Sequence, residues 1–217
     1  MRGKWVTLSV AGIACLVFVA TVYGGGWWIV TVRDLPEYAV AGRPLRLTFV
    51  VRQHGVTPSN DLKPEITAQS GKVTVKASAI RTRNDGEYSS SLTLPGSGKW
   101  TIRIMSEQYA LPELTVIPAG TAPPRPLSQT ALGERLFISK GCIDCHINRE
   151  IRARDGFDIG PELTGKRFPE AYLQSVLSDP ITAFRSNSEP GRGEMPNLDL
   201  TKSEIADLTA FINRKRN

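Results

Sequence analysis

Residues 118–126 read P-A-G-T-A-P-P-R-P, four prolines in nine positions. Proline lacks a backbone N–H and locks φ near −65°, so neither a helix nor a central strand can run through this segment. At polyproline rise it spans about 28 Å as an extended linker. The chain is therefore divided. Its 217 residues fall into a piece before the prolines and a piece after them, and the two pieces follow different hydrophobic periods.

Before the linker the period is two. Leu45, Leu47, Phe49 and Val51 alternate with Arg46, Thr48, Val50 and Arg52, which predicts a strand with one buried face. Similar runs follow at 72–80, 88–94, 100–105 and 114–117. They are separated by turn-forming stretches such as Ala41-Gly42-Arg43-Pro44, Asn84-Asp85-Gly86 and Pro95-Gly96-Ser97-Gly98. The spacing predicts an antiparallel β-sandwich over residues 28–117. The stretch P-G-S-G-K-W is no phosphate-binding loop. That motif needs glycine where Thr93 stands and Ser or Thr where Trp100 stands.

Ahead of the strands, Arg2 and Lys4 precede an uncharged run that lasts to Val32. The apolar part from Trp5 to Tyr23 would make about 28 Å of helix, close to the thickness of a bilayer's hydrocarbon. It is longer than a secretory leader's apolar region, and no small-x-small cleavage site follows it. Gly24-Gly25-Gly26 would end the helix, and Trp27-Trp28 suit a membrane interface. Residues 1–26 are expected to be an uncleaved anchor with a cytoplasmic N-terminus, leaving the rest extracytoplasmic. Cys15 then reads as a small residue inside a membrane helix.

After the linker the period becomes helical. Leu132 and Leu136 share a face, as do Tyr172, Leu173, Val176 and Leu177, and as do Ile205, Leu208 and Ile212. The last group follows Thr201-Lys-Ser-Glu204, the pattern of a capping box. Residues 128–217 thus read as an all-α unit whose short helices leave room for something at the centre. The excess positive charge, +6, lies wholly in residues 1–127, while residues 128–217 are neutral. That distribution argues against a nucleic-acid partner.

The chemistry-bearing residues are concentrated in K-G-C-I-D-C-H, residues 140–146. A structural zinc site wants four ligands, usually from two such pairs, and outside this motif the chain offers only Cys15 and His54. A thioredoxin-like dithiol needs a strand–helix setting. Covalent haem gives each residue a role. Cys142 and Cys145 would form thioethers, and His146 would face the iron. Met195, the only methionine beyond the motif, lies in G-E-M-P-N-L and would supply a soft thioether on the far side. Arg149, Arg152 and Arg154 read as a solvated loop.

With these residues in view, the stretch 130–213 resembles a class I cytochrome c domain: G-E-R-L-F-I-S-K-G-C-I-D-C-H, then G-P-E-L-T-G, then M-P-N-L-D-L-T-K-S-E. The resemblance implies helices wrapped around one covalently attached haem c, with Gly133 letting the first helix cross the last near Phe211. It also implies that the Pro161 carbonyl holds the ring of His146, with Leu163, Tyr172 and Leu173 lining a pocket. The β region looks like extracytoplasmic Ig-like domains of the YtkA-like type; His54, which only Met105 could join, is the one residue suggesting copper, and it reads rather as a turn-region histidine that holds no metal.

The whole is then a multidomain chain: anchor 1–26, Ig-like sandwich 28–117, linker 118–127 and cytochrome c unit 128–217. The function this implies is one-electron transfer by a membrane-anchored c-type cytochrome, non-enzymatic in itself. Its redox protein donor and acceptor would be respiratory complexes, and it would take no small-molecule substrate. The alternatives are the electron-entry subunit of a terminal oxidase, nitric oxide reductase or dehydrogenase, or a copper-handling module with haem as reductant. The expected location is the cell membrane, single-pass, with both domains periplasmic.

Overall fold

A computed structural model describes residues 27–151, 159–184 and 194–215. The β half has ten strands: β1 (Trp28–Val32), β2 (Tyr38–Val40), β3 (Pro44–Gln53), β4 (Thr57–Pro58), β5 (Glu65–Ser70), β6 (Val73–Ser78), β7 (Ile80–Arg81), β8 (Glu87–Thr93), β9 (Gly98–Ile104) and β10 (Leu114–Ile117). One five-stranded sheet runs β1-β3-β8-β7 with β4 added to β3, and the other runs β2-β10-β9-β5-β6. Their facing side chains form one core, in which Leu47, Phe49, Val51, Ile66, Ala68, Ile102 and Ile104 are fully buried.

Alternation along β3 produces that core. Leu45, Leu47, Phe49 and Val51 point inward while Arg46 is exposed. Phe49 pairs in register with Tyr88 of β8, and their rings stack at 6.0 Å. Burying such a ring contributes about 1.5–3 kcal/mol. Polar ends are matched: the Tyr88 hydroxyl donates to the Ser59 carbonyl at 2.8 Å, and Trp100 Nε1 donates to the Gly96 carbonyl at 2.9 Å. The alternation fails at one end of β3, where Val50 and Arg52 are buried as well. There Arg52 Nη1 donates to Thr31 Oγ1 at 3.1 Å, and the guanidinium lies within the fields of Arg33 and Asp199.

After the linker come α1 (Gln129–Ser139), α2 (Cys142–Cys145), α3 (Glu170–Ser178), α4 (Pro180–Phe184) and α5 (Lys202–Ile212). Ser128 caps α1, accepting from the Ala131 N–H. Thr201 and Glu204 cap α5 reciprocally as a full capping box. The two eleven-residue helices cross at Gly133, where an added Cβ would meet the Asp207 carbonyl and come within 2.6 Å of Phe211 Cβ. Phe137 and Phe211 pack beside the crossing with ring centroids 5.5 Å apart.

The expected fold class needs correction. The sheets are not wholly antiparallel, because β2 pairs parallel to β10. The helices do not stand apart as an all-α class I cytochrome c bundle, since their α1–α2 corner is hydrogen-bonded to β1. The molecule is instead a mixed α/β fold with two sheets. Among the described residues no helix is long and apolar enough to cross a membrane. The anchor assigned to residues 1–26, with Cys15, lies outside the described residues, as do Arg152 and Arg154. The single-pass membrane location and the periplasmic placement that followed from it are therefore withdrawn.

Candidate functional site

Cys142, Cys145 and His146 occupy the corner that follows α1. Gly141 takes φ +81°, a left-handed turn that L side chains rarely adopt, and this breaks α1 from α2. Cys142 and Cys145 are one helical turn apart, both half-buried with free thiols. Burial pushes the Cys142 thiol up to about 12, with further contributions from Cys145 and Asp144. Cys145 is also pushed up to about 12, by burial and then by Asp144. Both are thus protonated at neutral pH and are poor nucleophiles as they stand.

His146 ends α2 in an extended conformation, φ −106° and ψ 123°, while its N–H still closes the turn onto the Cys142 carbonyl at 2.8 Å. The segment 159–164 then zips against 145–149. Gly160 N donates to the Cys145 carbonyl at 3.0 Å, Leu163 N to the Ile147 carbonyl at 2.9 Å, and Arg149 N to Thr164 Oγ1 at 3.0 Å. This pairing places the Pro161 carbonyl 3.0 Å from His146 Nδ1. An Nδ1–H donating there leaves Nε2 as the ring's free lone pair. Burial holds the imidazole below the usual histidine range, against an opposite pull from the Pro161 bond.

The remaining site residues fall unevenly around this corner. Leu163, Met195 and Cys142 are partly buried and pack on one cluster with Phe137, Leu173, Leu208 and Phe211. Tyr172 is 45% exposed, and its ring stacks on Phe168 at 5.8 Å. Arg149 pairs with Glu162 at 3.0 Å. His54 is exposed in the β half, φ 51°, edge-on to Trp27 at 5.8 Å.

Sequence reasoning missed two residues. Gly160 is one: a Cβ there would come within 2.5 Å of His146 Nδ1, so its hydrogen atom makes room for the imidazole. The other is Lys140, 4% exposed, with Nζ 2.7 Å from Glu204 Oε1 and donating to the Arg33 carbonyl at 2.8 Å. A lysine beside a glycine in sequence carries no local sign of burial.

No family model matches the chain. Two curated proteins are similar to it: the UDP-N-acetylglucosamine--N-acetylmuramyl-(pentapeptide) pyrophosphoryl-undecaprenol N-acetylglucosamine transferases of Pseudomonas syringae pv. tomato (strain ATCC BAA-871 / DC3000) and pv. syringae (strain B728a). Each is 29% identical over an alignment of 163 positions, and the match covers 68% of this chain. The chain spans less than half the length of these relatives, 44% of each. Among solved structures, a protein described as a glycoside hydrolase from Bacteroides vulgatus ATCC 8482 aligns at 20% identity and TM-score 0.31, over 40% of this chain and 17% of that one. The ZirS C-terminal domain aligns at 10% identity and TM-score 0.28, over 54% of this chain and 85% of that one. Overlaps of that quality carry no argument about fold.

Against these findings the functional expectation is corrected. Among the described residues no group of three or more His, Cys, Asp or Glu side chains could hold a metal ion. The resemblances to class I cytochrome c and to YtkA-like Ig domains have no matching family model behind them, and the curated proteins matched are transferases. Covalent haem c is withdrawn on these grounds. So are the c-type cytochrome, the oxidase, nitric oxide reductase or dehydrogenase subunit, and the copper-handling module. The same findings remove the non-enzymatic assignment, the respiratory donor and acceptor, the membrane as partner, and the exclusion of a small-molecule substrate.

Proposed function

We propose that the Cys142–His146 corner, against which residues 159–164 pair, is a cofactor-binding site that Met195 completes. Cys142 and Cys145 supply sulfur, while His146 Nε2 and Met195 Sδ act as metal donors. Pro161 orients the imidazole, and Leu163 and Tyr172 cover the apolar side. The observation that carries this reading is the Nδ1 contact of His146 with the Pro161 carbonyl. A backbone acceptor on one ring nitrogen selects the tautomer and aims the other as a ligand. Imidazole and thioether are borderline and soft donors, suited to a transition metal. Among the described residues no group of three or more His, Cys, Asp or Glu side chains cages an ion, so an ion held by His146 and Met195 would complete its coordination with water.

The test uses the full chain purified from its own host. Metal analysis after loading with a divalent transition metal should give one equivalent per chain. That signal should vanish in His146→Ala and fall in Met195→Ala. No bound metal in the unsubstituted chain would overturn the reading.

The curated match supports a second reading, in which the chain binds a UDP-sugar as the matched transferases' name indicates. Titration with UDP-N-acetylglucosamine separates the two. Saturable binding that survives His146→Ala would favour the transferase reading and place the ligand away from the corner.

A further inference from the structure

We propose that Lys140 is a positioning residue that seats the Cys142–His146 corner on strand β1. On this view the β half is a fixed bracket for the site, and the proline-rich segment is a strap across two docked halves. The inference holds whatever the corner binds.

Lys140 is the C-cap of α1, and it immediately precedes the turn that carries the site. Its side chain joins three elements. The ammonium lies 2.7 Å from Glu204, in the first turn of α5, and 2.8 Å from the Arg33 carbonyl, which follows β1. Its carbonyl accepts from Thr31 Oγ1 at 3.2 Å, and that hydroxyl accepts in turn from Arg52. The next residue presses on the same strand: a Cβ on Gly141 would come within 2.6 Å of Ile29 Cγ2 and 3.0 Å of the Val30 carbonyl. Beside it, Ile138 and Ile143 line one crevice with Val30 and Leu111.

A buried ion pair is seldom a net source of stability, because two charges lose their water, but removing one partner alone is costly. An ammonium between a helix-capping carboxylate and the carbonyl that follows β1 therefore acts mainly through geometry. The direction of α1, the start of α5 and the edge of β1 must coincide for all its bonds to form. Other bonds cross between the halves and carry the same registration. Arg33 Nη1 donates to Asp199 at 3.2 Å. Arg135 donates to the carbonyls of Pro36 at 2.9 Å and Glu113 at 3.0 Å, and the linker's last residue is tied down as well, Leu127 N donating to Glu37 at 3.0 Å. The prolines between are exposed, so the linker spans a gap that these contacts have already closed.

The experiment uses the full chain with a protease site placed within residues 119–126, followed by gel filtration and amide hydrogen exchange read by mass spectrometry. After cleavage the two halves should elute together. Lys140→Met keeps the apolar stem and removes the ammonium. It should raise exchange at least tenfold in residues 28–33 and 140–146, leave 208–212 unchanged, and let the cleaved halves separate. Thr31→Val removes only the strand's hydroxyl and should raise exchange in 140–146 with the helical core intact, which covers the case in which Lys140→Met fails to fold. Separation of the halves in the unsubstituted chain would overturn the proposal. So would unchanged exchange in 140–146 in both variants, or a rise in both that is as large in 208–212.

Discussion

A Cβ on Gly160 would stand 2.5 Å from His146 Nδ1, well inside van der Waals contact. Gly160→Ala must therefore move either the imidazole or the 159–164 segment that brings up the Pro161 carbonyl. The cost expected from overpacking is about 1–3 kcal/mol. The more specific consequence is electrostatic. Burial holds the His146 ring below the ordinary histidine range, so a ring displaced toward water should titrate closer to the usual value near 6.5. Ring nitrogen shifts followed by NMR across pH 4–8 check this, and an unchanged titration in the alanine variant would show that the ring had stayed in place. Local patterning marks Cys142, Cys145 and His146 as a group. Gly160 is invisible to it, because the reason for that glycine is an imidazole fourteen positions earlier in the chain.

At the scale of elements, the crossing of α1 and α5 sets the shape of the helical half. Gly133 lies directly against the Asp207 carbonyl, so the helices touch backbone to backbone with Phe137 and Phe211 packed alongside. Gly133→Ala gains helix propensity in isolation, yet it should destabilise the chain by about 1–3 kcal/mol because the helices must part. Chemical denaturation should show a lower midpoint with an unchanged slope, and a variant at least as stable as the unsubstituted chain would refute the close contact. Much at this scale is readable from sequence. The period-two run over Leu45–Val51, the capping box at Thr201–Glu204 and the 3.6 period of Ile205, Leu208 and Ile212 all depend on neighbours within a few residues. The parallel pairing of Tyr38–Val40 with Thr115–Ile117 does not. A three-residue strand carries too little pattern to name its partner, and strand direction depends on the route of the chain between them.

For the molecule as a whole, the Lys140–Glu204 pair makes stability depend on pH. Burial pushes the Glu204 carboxyl up, but hydrogen bonds from Lys140 and Thr201 and the lysine's charge outweigh it and hold the group below the ordinary glutamate range. The unfolded chain then binds more protons than the native one across the interval between the two pKa values, so stability rises with pH there. The contribution is fully present above the unfolded value of about 4.3 and is lost as pH falls through the lower native value. Thermal unfolding of the full chain and of Glu204→Gln from pH 7 to pH 3 should show a gap that is constant at neutral pH and closes in acid. A gap independent of pH would mean that the carboxylate's charge contributes nothing.

Legible in the residues alone were the strand-forming run Leu45–Val51, the helix-forming runs around Leu132, Leu173 and Leu208, and the grouping of Cys142, Cys145 and His146. Each of these follows from residues within one or two turns of one another, through side-chain alternation and helix periodicity. Not legible there were the burial of Lys140 against Arg33 and Glu204, the covering of Arg52 on the outer face of β3, and the fit of Gly160 against the His146 ring. Burial and ion pairing arise from groups that meet across long stretches of chain, and the free energy of such a meeting depends on the water both sides lose, a quantity no local pattern carries.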